Sequence, residues 1–469
     1  MRYGKKKAPK LLENITITDM SSEGKGIARL EGKVHFIKGG VPGDVADILV
    51  IKGKSSYADA ELDTLHQKSL KRVNPACDYF GTCGGCKWQH IDYAAQLEFK
   101  TQIVRDALER IGKINVQNML PIVGCDEPFF YRNKLEFGFT DRRWLTNEQI
   151  ASGADFDRRG VGFHVPENFA GVLDIEKCHL QGGLSNDIRN AVRAYAKERG
   201  LSFFNLRNQE GFLRNLLIRN TSIGETLVLL AVTENNEENI RAIMHFIDQT
   251  FPQITSLQYV VNGKRNDTIY DLTPVVWKGK DHIIEKLGGH SFKIGPKSFF
   301  QTNTSQAEKL YAITKNMAEL NENSNVYDLY TGVGSIAIYV SNGCKKVTGI
   351  EQIEEAIADA KENATLNNIS NCTFYAGDVR MILNDNFIAQ HGKADVIITD
   401  PPRAGMHEDV VKTLLESGCP RIIYVSCNPA TQARDLQLLS EKYDVTAIQP
   451  VDMFPQTTHI ENVVRLDKR

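Results

Sequence analysis

R-I-I-Y-V-S-C-N-P-A-T-Q-A-R-D, residues 421–435, is the stretch from which the fold of this chain is best predicted. The apolar run Ile422 to Val425 indicates a buried strand that stops just before Cys427. Pro429 has no N–H and disfavours helical geometry at Asn428, so the chain turns there. Open α/β sheets place their chemistry at the carboxyl ends of strands. Cys427 is therefore a candidate reactive thiol, against the more frequent alternative of a small buried hydrophobe.

From residue 325 onward the sequence alternates regularly between strand and helix patterns. The predicted strands span 325–330, 346–351, 372–378, 394–403, 421–427 and 461–466. This alternation predicts a doubly wound, Rossmann-like parallel sheet.

A glycine turn, T-G-V-G-S at 331–335, follows the first of these strands. Glu351 ends the second strand about twenty residues later, where nucleotide-binding folds place an acid on the ribose hydroxyls. Asp378 stands at the end of the third strand. The third glycine of a dinucleotide fingerprint is absent. The pattern therefore favours S-adenosylmethionine, which has a ribose but no phosphate, over NAD.

Reactive side chains stand at further strand ends. Asp400 begins D-P-P-R, Cys427 ends the next strand, and Glu461 stands in T-H-I-E-N-V just before the last. In a parallel sheet we expect these ends to be neighbours at one edge, beside the glycine turn.

Clustered cysteines in the first half of the chain predict a metal centre. Cys77, Cys83 and Cys86 are spaced C-x5-C-x2-C with glycines between them, and Cys178 in E-K-C-H-L is the best candidate for a fourth ligand. Four thiolates suit zinc or an iron–sulfur cluster. An iron–sulfur cluster is favoured over zinc because zinc sites commonly have two C-x2-C pairs, which this spacing lacks. The spacing also differs from the C-x3-C-x2-C of radical S-adenosylmethionine enzymes.

The length and composition of the chain limit the number of domains, the cellular location and the kind of partner. The 469 residues suffice for about three domains, which we place at 1–70, 71–290 and 291–469. Short strands with glycine turns over 11–70 predict a small β-barrel, and 71–290 mixes strands and helices as an α+β domain. No secretory signal or transmembrane segment is evident, so the predicted location is the cytoplasm, where disulfides are rare. The net charge of −2 means that binding to a polyanion would need local basic surface, such as Lys5 to Lys7.

Motifs across the second half of the chain allow a family resemblance to be stated. They are F-F-Q-T-N (299–303), D-L-Y-T-G-V-G-S (328–335), D-P-P-R-A-G (400–405), S-C-N-P-A-T-Q-A-R-D (426–435) and H-I-E-N-V (459–463). In this order they resemble the RNA uracil-C5-methyltransferase family. Within it the chain is most similar to the 23S rRNA enzymes with an N-terminal TRAM domain and an iron–sulfur cluster. The tRNA-directed branch differs in lacking both. Thr331 stands where the family usually has Cys or Ser.

The resemblance implies a role for each candidate residue. Cys427 would add to C6 of uracil and Glu461 would remove the C5 proton. S-adenosylmethionine would be held by Gln301, Tyr330, Glu351 and Asp400. Asp400 would also touch the target base. A 4Fe–4S cluster would be held by Cys77, Cys83, Cys86 and Cys178. Because no step of the reaction needs an electron, its expected role is structural or that of a contact surface.

The chemistry of uracil agrees with these roles. C5 is a poor nucleophile until a thiolate adds to C6 and makes it enolate-like. A stacked base is inaccessible, so the uridine is expected to flip into the site. The predicted partner is 23S rRNA, bound by a monomeric enzyme, and tRNA is the alternative substrate. A non-catalytic RNA-binding assembly protein is disfavoured because the motif residues are intact.

Overall fold

The computed structural model describes residues 9–166 and 171–469. The basic tail at Lys5 to Lys7 lies outside the described residues. Within the described ranges, no helix combines the length and the apolar character needed to cross a membrane.

The N-terminal region is a six-stranded sheet with the order β1-β5-β6-β4-β3-β2. Its strands are β1 (Lys10–Thr16), β2 (Asp19–Met20), β3 (Gly26–Leu30), β4 (Lys33–Lys38), β5 (Val45–Gly53) and β6 (Tyr57–Gln67). β1 pairs with β5 at one end of this order, and β2, which follows almost directly, pairs with β3 at the other. The bent β1–β2 segment therefore closes the sheet into the small barrel that the sequence predicted.

Helix α1 (Tyr93–Arg110) follows residues 77–92, which contain Cys77, Cys83 and Cys86 and are named the cysteine loop. The Asp92 side chain caps its first turn by accepting hydrogen bonds from Ala94 and Ala95. Val104 and Leu108 on its buried face belong to the same apolar core as the C-terminal sheet. Although it stands early in the chain, α1 therefore packs against the C-terminal region.

The central region is a seven-stranded sheet with the order β13-β12-β11-β10-β7-β8-β9. Its elements are β7 (Lys134–Thr140), α2 (Asn147–Ala151), β8 (Gly160–His164), β9 (Val172–Asp174), α3 (Ser185–Glu198), β10 (Leu213–Asn220), β11 (Thr226–Val232), α4 (Glu237–Thr250), β12 (Ser256–Val261) and β13 (Val275–Gly279). β11 is apolar along almost its whole length because both of its faces are covered. Val228 and Leu230 join the core beneath α3 and α4, while Leu227 and Leu229 join the core of the C-terminal region.

The C-terminal region has the order β18-β17-β16-β19-β20-β22-β21, preceded by a separate hairpin of β14 and β15. Its strands are β14 (Ile283–Leu287), β15 (His290–Ile294), β16 (Asn325–Leu329), β17 (Lys346–Glu351), β18 (Cys372–Ala376), β19 (Val396–Thr399), β20 (Arg421–Ser426), β21 (Tyr443–Val451) and β22 (Glu461–Lys468). Its helices are α5 (Thr304–Ala318), α6 (Ser335–Ser341), α7 (Glu354–Leu366), α8 (Val379–Ile382), α9 (Asp385–His391), α10 (Glu408–Ser417) and α11 (Pro429–Leu439).

The prediction of a wholly parallel sheet is wrong at its last strands. β16 to β20 are parallel, but β22 runs antiparallel to β20 and lies between it and β21. A parallel last strand would have begun at the opposite edge of the sheet. The reversed direction is what brings Glu461, the first residue of β22, to the edge where β16, β19 and β20 end.

Candidate active site

In the C-terminal seven-stranded sheet, the pairing of β20 with β22 places Cys427 beside Glu461. Ser426 pairs with Asn462 at the end of the β20–β22 ladder, so the next residues along the two strands are Cys427 and Glu461. Glutamine 432 of α11 fixes this end, because its Nε2 donates to the Asn462 carbonyl at 3.1 Å and its Oε1 accepts from Asn462 Nδ2 at 2.8 Å. The predicted turn is present, and α11 begins at Pro429 with the Asn428 side chain as its cap.

Arg403, in the loop after β19, contacts the two segments that contain Cys427 and Glu461. Its carbonyl accepts hydrogen bonds from Asn428 Nδ2 at 3.0 Å and from Thr431 Oγ1 at 3.2 Å. Its guanidinium lies 3.1 Å from His459 Nδ1. The sequence showed Arg403 only as part of D-P-P-R-A-G, and that motif was the available signal for this bridging position.

Acidic groups crowd around the thiol. Burial raises the pKa of Cys427 to about 11, and the nearby Glu461 and Asp400 carboxyls add to this effect while Arg403 opposes it. Burial and Asp400 hold the pKa of Glu461 well above its usual range, and Arg403 lowers it. Burial and Asp328 raise the pKa of Asp400 to about 7. The site therefore retains protons at neutral pH that a bound cation would help to release.

The cofactor candidates Tyr330, Glu351 and Asp400 follow or end the neighbouring strands β16, β17 and β19. Tyr330 has the left-handed φ of 65° and Gly332 one of 56°, so the chain turns sharply after β16. Gly332 N donates to Glu351 Oε2 at 3.2 Å. Gln301 lies in the loop before α5, where its carbonyl accepts from Asn133 Nδ2 at 2.9 Å.

These residues fit S-adenosylmethionine. Asp328 is fully buried, and its Oδ1 has no hydrogen-bond partner. Burial raises the pKa of Asp328 to about 7, although its Oδ2 accepts from Thr331 Oγ1 and Ala337 N. A cationic ligand beside these carboxyls would relieve the cost of ionising them.

Cys178, from a separate part of the chain, lies near the three clustered cysteines. Burial raises the pKa of Cys83 to about 11 and that of Cys86 to about 12, and Cys77 and Cys178 each contribute to the rise in both. Gln89 ties this loop together, because its Nε2 donates to Cys86 Sγ at 3.1 Å and its Oε1 accepts from Cys77 N at 3.1 Å. Across residues 9–166 and 171–469, no three His, Cys, Asp or Glu side chains are arranged to hold one metal ion. Four thiols fit a thiolate-bound centre by their chemistry, without fixing its kind.

Comparisons with known proteins identify the family of the chain. Residues 280–469 match the tRNA (uracil-5-)-methyltransferase family model, and residues 13–62 match the TRAM domain. An "Uncharacterized RNA methyltransferase" of Bacteroides thetaiotaomicron is 53% identical over 96% of this chain and 100% of the relative. One of Porphyromonas gingivalis is 47% identical over 96% of this chain and 98% of the relative.

A solved structure extends the likeness to the whole chain. The Pyrococcus abyssi tRNA (uracil-54, C5)-methyltransferase, in complex with S-adenosyl-L-homocysteine, is 30% identical with a TM-score of 0.74. The match covers 97% of this chain and 100% of that one. An enzyme named for tRNA thus spans the barrel and cysteine-loop regions as well, so overall architecture does not separate rRNA from tRNA substrates as the sequence comparison supposed. The chain belongs to the RNA uracil-5-methyltransferase family and is an S-adenosylmethionine-dependent RNA methyltransferase.

Proposed function

We propose that this enzyme methylates C5 of a uridine in RNA through a covalent bond between Cys427 and C6 of the base. The observation that supports this most directly is that Cys427 and Glu461 lie next to the last β20–β22 pair, Ser426 and Asn462, and so stand opposite each other. A thiol and a carboxyl at that spacing can act on adjacent ring carbons of one base. S-adenosylmethionine supplies the methyl group.

The proposed reaction has three steps: addition, methyl transfer and elimination. The Cys427 thiolate adds to C6, and the electron pair of the C5–C6 double bond moves toward C5 and the O4 carbonyl. C5 then takes the methyl group from the sulfonium, whose S–CH3 bond breaks so that the sulfur keeps the electron pair and leaves as a thioether. Glu461 removes the C5 proton, the double bond re-forms, and the C6–S bond breaks to release the thiolate. Because Arg403 lowers the pKa of both Cys427 and Glu461, it favours the ionised forms that these steps need.

Residue roles at the cofactor remain those that the family resemblance implies. We assign Gln301, Tyr330, Glu351 and Asp400 to S-adenosylmethionine, with Asp400 also facing the target base. Asp328 raises the pKa of Asp400, and Asp400 raises the pKa of Glu461, which supports a row of neighbouring carboxyls at this edge of the sheet.

We assign a 4Fe–4S cluster to Cys77, Cys83, Cys86 and Cys178. Each thiolate of such a cluster binds a different iron, whereas four zinc ligands share one ion. Cys86 has Cys77, Cys83 and Cys178 as neighbours, as ligands of one centre would be. Since no step above moves an electron, its assigned role is structural.

For substrate we propose 23S rRNA first, from the branch that the motifs resemble, with tRNA as the second candidate. The whole-chain likeness to the Pyrococcus abyssi tRNA enzyme favours testing that second candidate directly. A cytoplasmic location and a monomeric state remain predictions.

Covalent trapping tests the proposal. The protein is mixed with S-adenosylmethionine and either 23S rRNA fragments or tRNA in which 5-fluorouridine replaces uridine. Fluorine at C5 cannot leave as a proton, so an RNA–protein adduct should persist on a denaturing gel and map to Cys427 by peptide mass spectrometry. Cys427→Ala should give none. The RNA that traps identifies the substrate class, and no adduct with either RNA, from protein that binds S-adenosylmethionine, would overturn the covalent mechanism.

A further inference from the structure

Glu461 is preceded by a segment that contacts every other region of the molecule. We name residues 452–460, between β21 and Glu461, the base loop. At its start Asp452 is fully buried, pairs with the fully buried Lys100 of α1 at 2.5 Å and accepts from the Tyr93 hydroxyl at 2.9 Å. In the middle, the hydroxyl of Tyr131 from the central region donates to the Pro455 carbonyl at 3.0 Å.

The barrel also reaches this loop. Gly24, in the turn between β2 and β3, has a φ of 81° and packs so closely that a Cβ there would lie 2.6 Å from Thr458 Cγ2 and 2.9 Å from Trp88 Nε1. The base loop is therefore held between the barrel, α1 and the central region rather than by the catalytic sheet alone.

Gln456 is the most constrained residue of the base loop. Its φ is 67°, a left-handed conformation that favours glycine and persists in other residues only where surrounding contacts enforce it. Its carbonyl accepts from the backbone N–H groups of Lys87 at 2.8 Å and Trp88 at 3.1 Å. These two residues directly follow Cys86, so the end of the cysteine loop is hydrogen-bonded to the base loop.

The side chain of Gln96 completes this arrangement. It is fully buried on α1. Its Oε1 accepts from Gln456 N at 3.0 Å, and its Nε2 lies 3.0 Å from Gln456 Oε1. The same Nε2 donates to the Trp88 carbonyl at 3.1 Å and the Ile91 carbonyl at 2.9 Å. One buried amide thus joins the cysteine loop, α1 and the base loop.

We infer that Gln96, together with the chain just after Cys86, is a positioning element for the catalytic base: it holds Gln456 in its left-handed conformation and thereby places Glu461. This rests on the proposed function, in which Glu461 removes the C5 proton. It gives the segment just after Cys86 a task in the reaction. Gln96 is a positioning residue.

Misplacing the base should block one step only. Thiol addition and methyl transfer precede the removal of the C5 proton, so they still occur. The adduct then cannot resolve, and RNA containing ordinary uridine should remain attached to the protein with the new methyl group in place. A general loss of folding or of cofactor binding would instead lower methyl transfer and adduct together.

The test compares Gln96→Met with Gln102→Met, a matched substitution on the same helix at an exposed glutamine whose Nε2 donates to Asp106 Oδ1 at 2.9 Å. Each variant is incubated with methyl-labelled S-adenosylmethionine and unmodified substrate RNA, then resolved on a denaturing gel. Gln96→Met should lower turnover by about tenfold or more and accumulate labelled adduct, because a positioned general base contributes about 10²- to 10⁴-fold. Gln102→Met should behave as wild type.

Glu461→Gln separates a failure of the proposed role of Glu461 from a failure of the positioning role of Gln96. If it fails to accumulate labelled adduct, the proposed role of Glu461 is wrong. If it accumulates adduct while Gln96→Met does not, the positioning role of Gln96 is wrong. Hydrogen exchange gives an independent readout: amides of residues 453–460 should exchange at least about tenfold faster in Gln96→Met than in Gln102→Met. Unchanged exchange there would also overturn the inference.

Discussion

Cys427 and the four-thiol group of Cys77, Cys83, Cys86 and Cys178 contain the same side chain in different surroundings. Burial is the largest cause of a raised pKa at every one of these sulfurs. The difference lies in the neighbours. Cys77, Cys83 and Cys86 each have other members of the group among the neighbours that raise their pKa, whereas for Cys427 those neighbours are the Glu461 and Asp400 carboxyls. Arg189 near Cys178 and Arg403 near Cys427 oppose the rise.

The neighbours decide what each sulfur can do. A thiol beside the acid Glu461 and the cation Arg403 can exchange a proton and form or break a bond to carbon. Thiols that face one another gain most by binding metal, which removes their protons permanently. Burial alone therefore says little about cysteine function here.

The largest effect is expected at Cys427. Cys427→Ala should lower methylation by at least about 10⁴-fold, because loss of a covalent nucleophile costs at least that much in comparable enzymes. Cys344→Ala is the control, since that thiol donates only to backbone carbonyls of its own helix region. Methyl incorporation into RNA under single-turnover conditions measures both. Substantial activity in Cys427→Ala would show that the reaction does not pass through this sulfur.

The four-thiol group should affect stability first. Cys86→Ser should lose iron and lower the free energy of unfolding by about 4 kcal/mol or more, the range associated with loss of a metal centre. Iron and sulfide analysis with thermal unfolding measures this. Zinc in place of iron would reject the cluster, and Cys125→Ser, at a buried thiol outside the group, serves as the comparison.

Binding of S-adenosylmethionine should depend on pH. The pKa values of Asp328 and Asp400 are raised to about 7. Below that pH both carboxyls hold protons and attract a cation weakly. Affinity should therefore rise as pH increases from 6 to 8, by up to about tenfold per pH unit for each proton released. Calorimetry in buffers of different ionisation enthalpy should detect the released protons.

The same pKa shifts act on stability with a definite sign. A carboxyl whose folded pKa lies above its unfolded value stabilises the fold at low pH and loses that contribution as pH rises through the folded value. In the ligand-free protein the stabilising contribution of Asp328 and Asp400 should thus be lost between about pH 4 and 7. Asp328→Asn should flatten both this curve and the pH dependence of binding; an unchanged slope would exclude Asp328 as its source.

Sequence patterns predicted some of these features and missed others for physical reasons. The strand before Cys427 and the glycine turn are local and apolar, so they were predicted. β21 was not, since it includes Pro450 and a register shift between Val445 and Ala447, both of which disrupt a strand pattern. Without β21, the antiparallel direction of β22 could not be foreseen.

Long-range contacts explain the remaining omissions. Gln96 lies on an amphipathic helix, where one buried amide looks like any other polar residue until its partner, Gln456, is placed against it. The motif around Arg403 was visible, but its bridge to His459 depends on loops that meet only in the folded chain.

The smallest effect is expected at Arg403, the cation beside Cys427. Arg403→Gln removes the cation that lowers the pKa of Cys427 and Glu461 while leaving its backbone carbonyl to bind Asn428. The pKa of both groups should rise, so the pH–rate profile should move toward higher pH, with a loss of about tenfold at neutral pH and partial recovery at pH 9. Arg403→Lys, which keeps the charge, should restore most of the profile. A uniform loss at every pH would mean that Arg403 acts by shaping the loops and not by its charge, and Cys427 would then owe its reactivity to the bound cofactor rather than to this guanidinium.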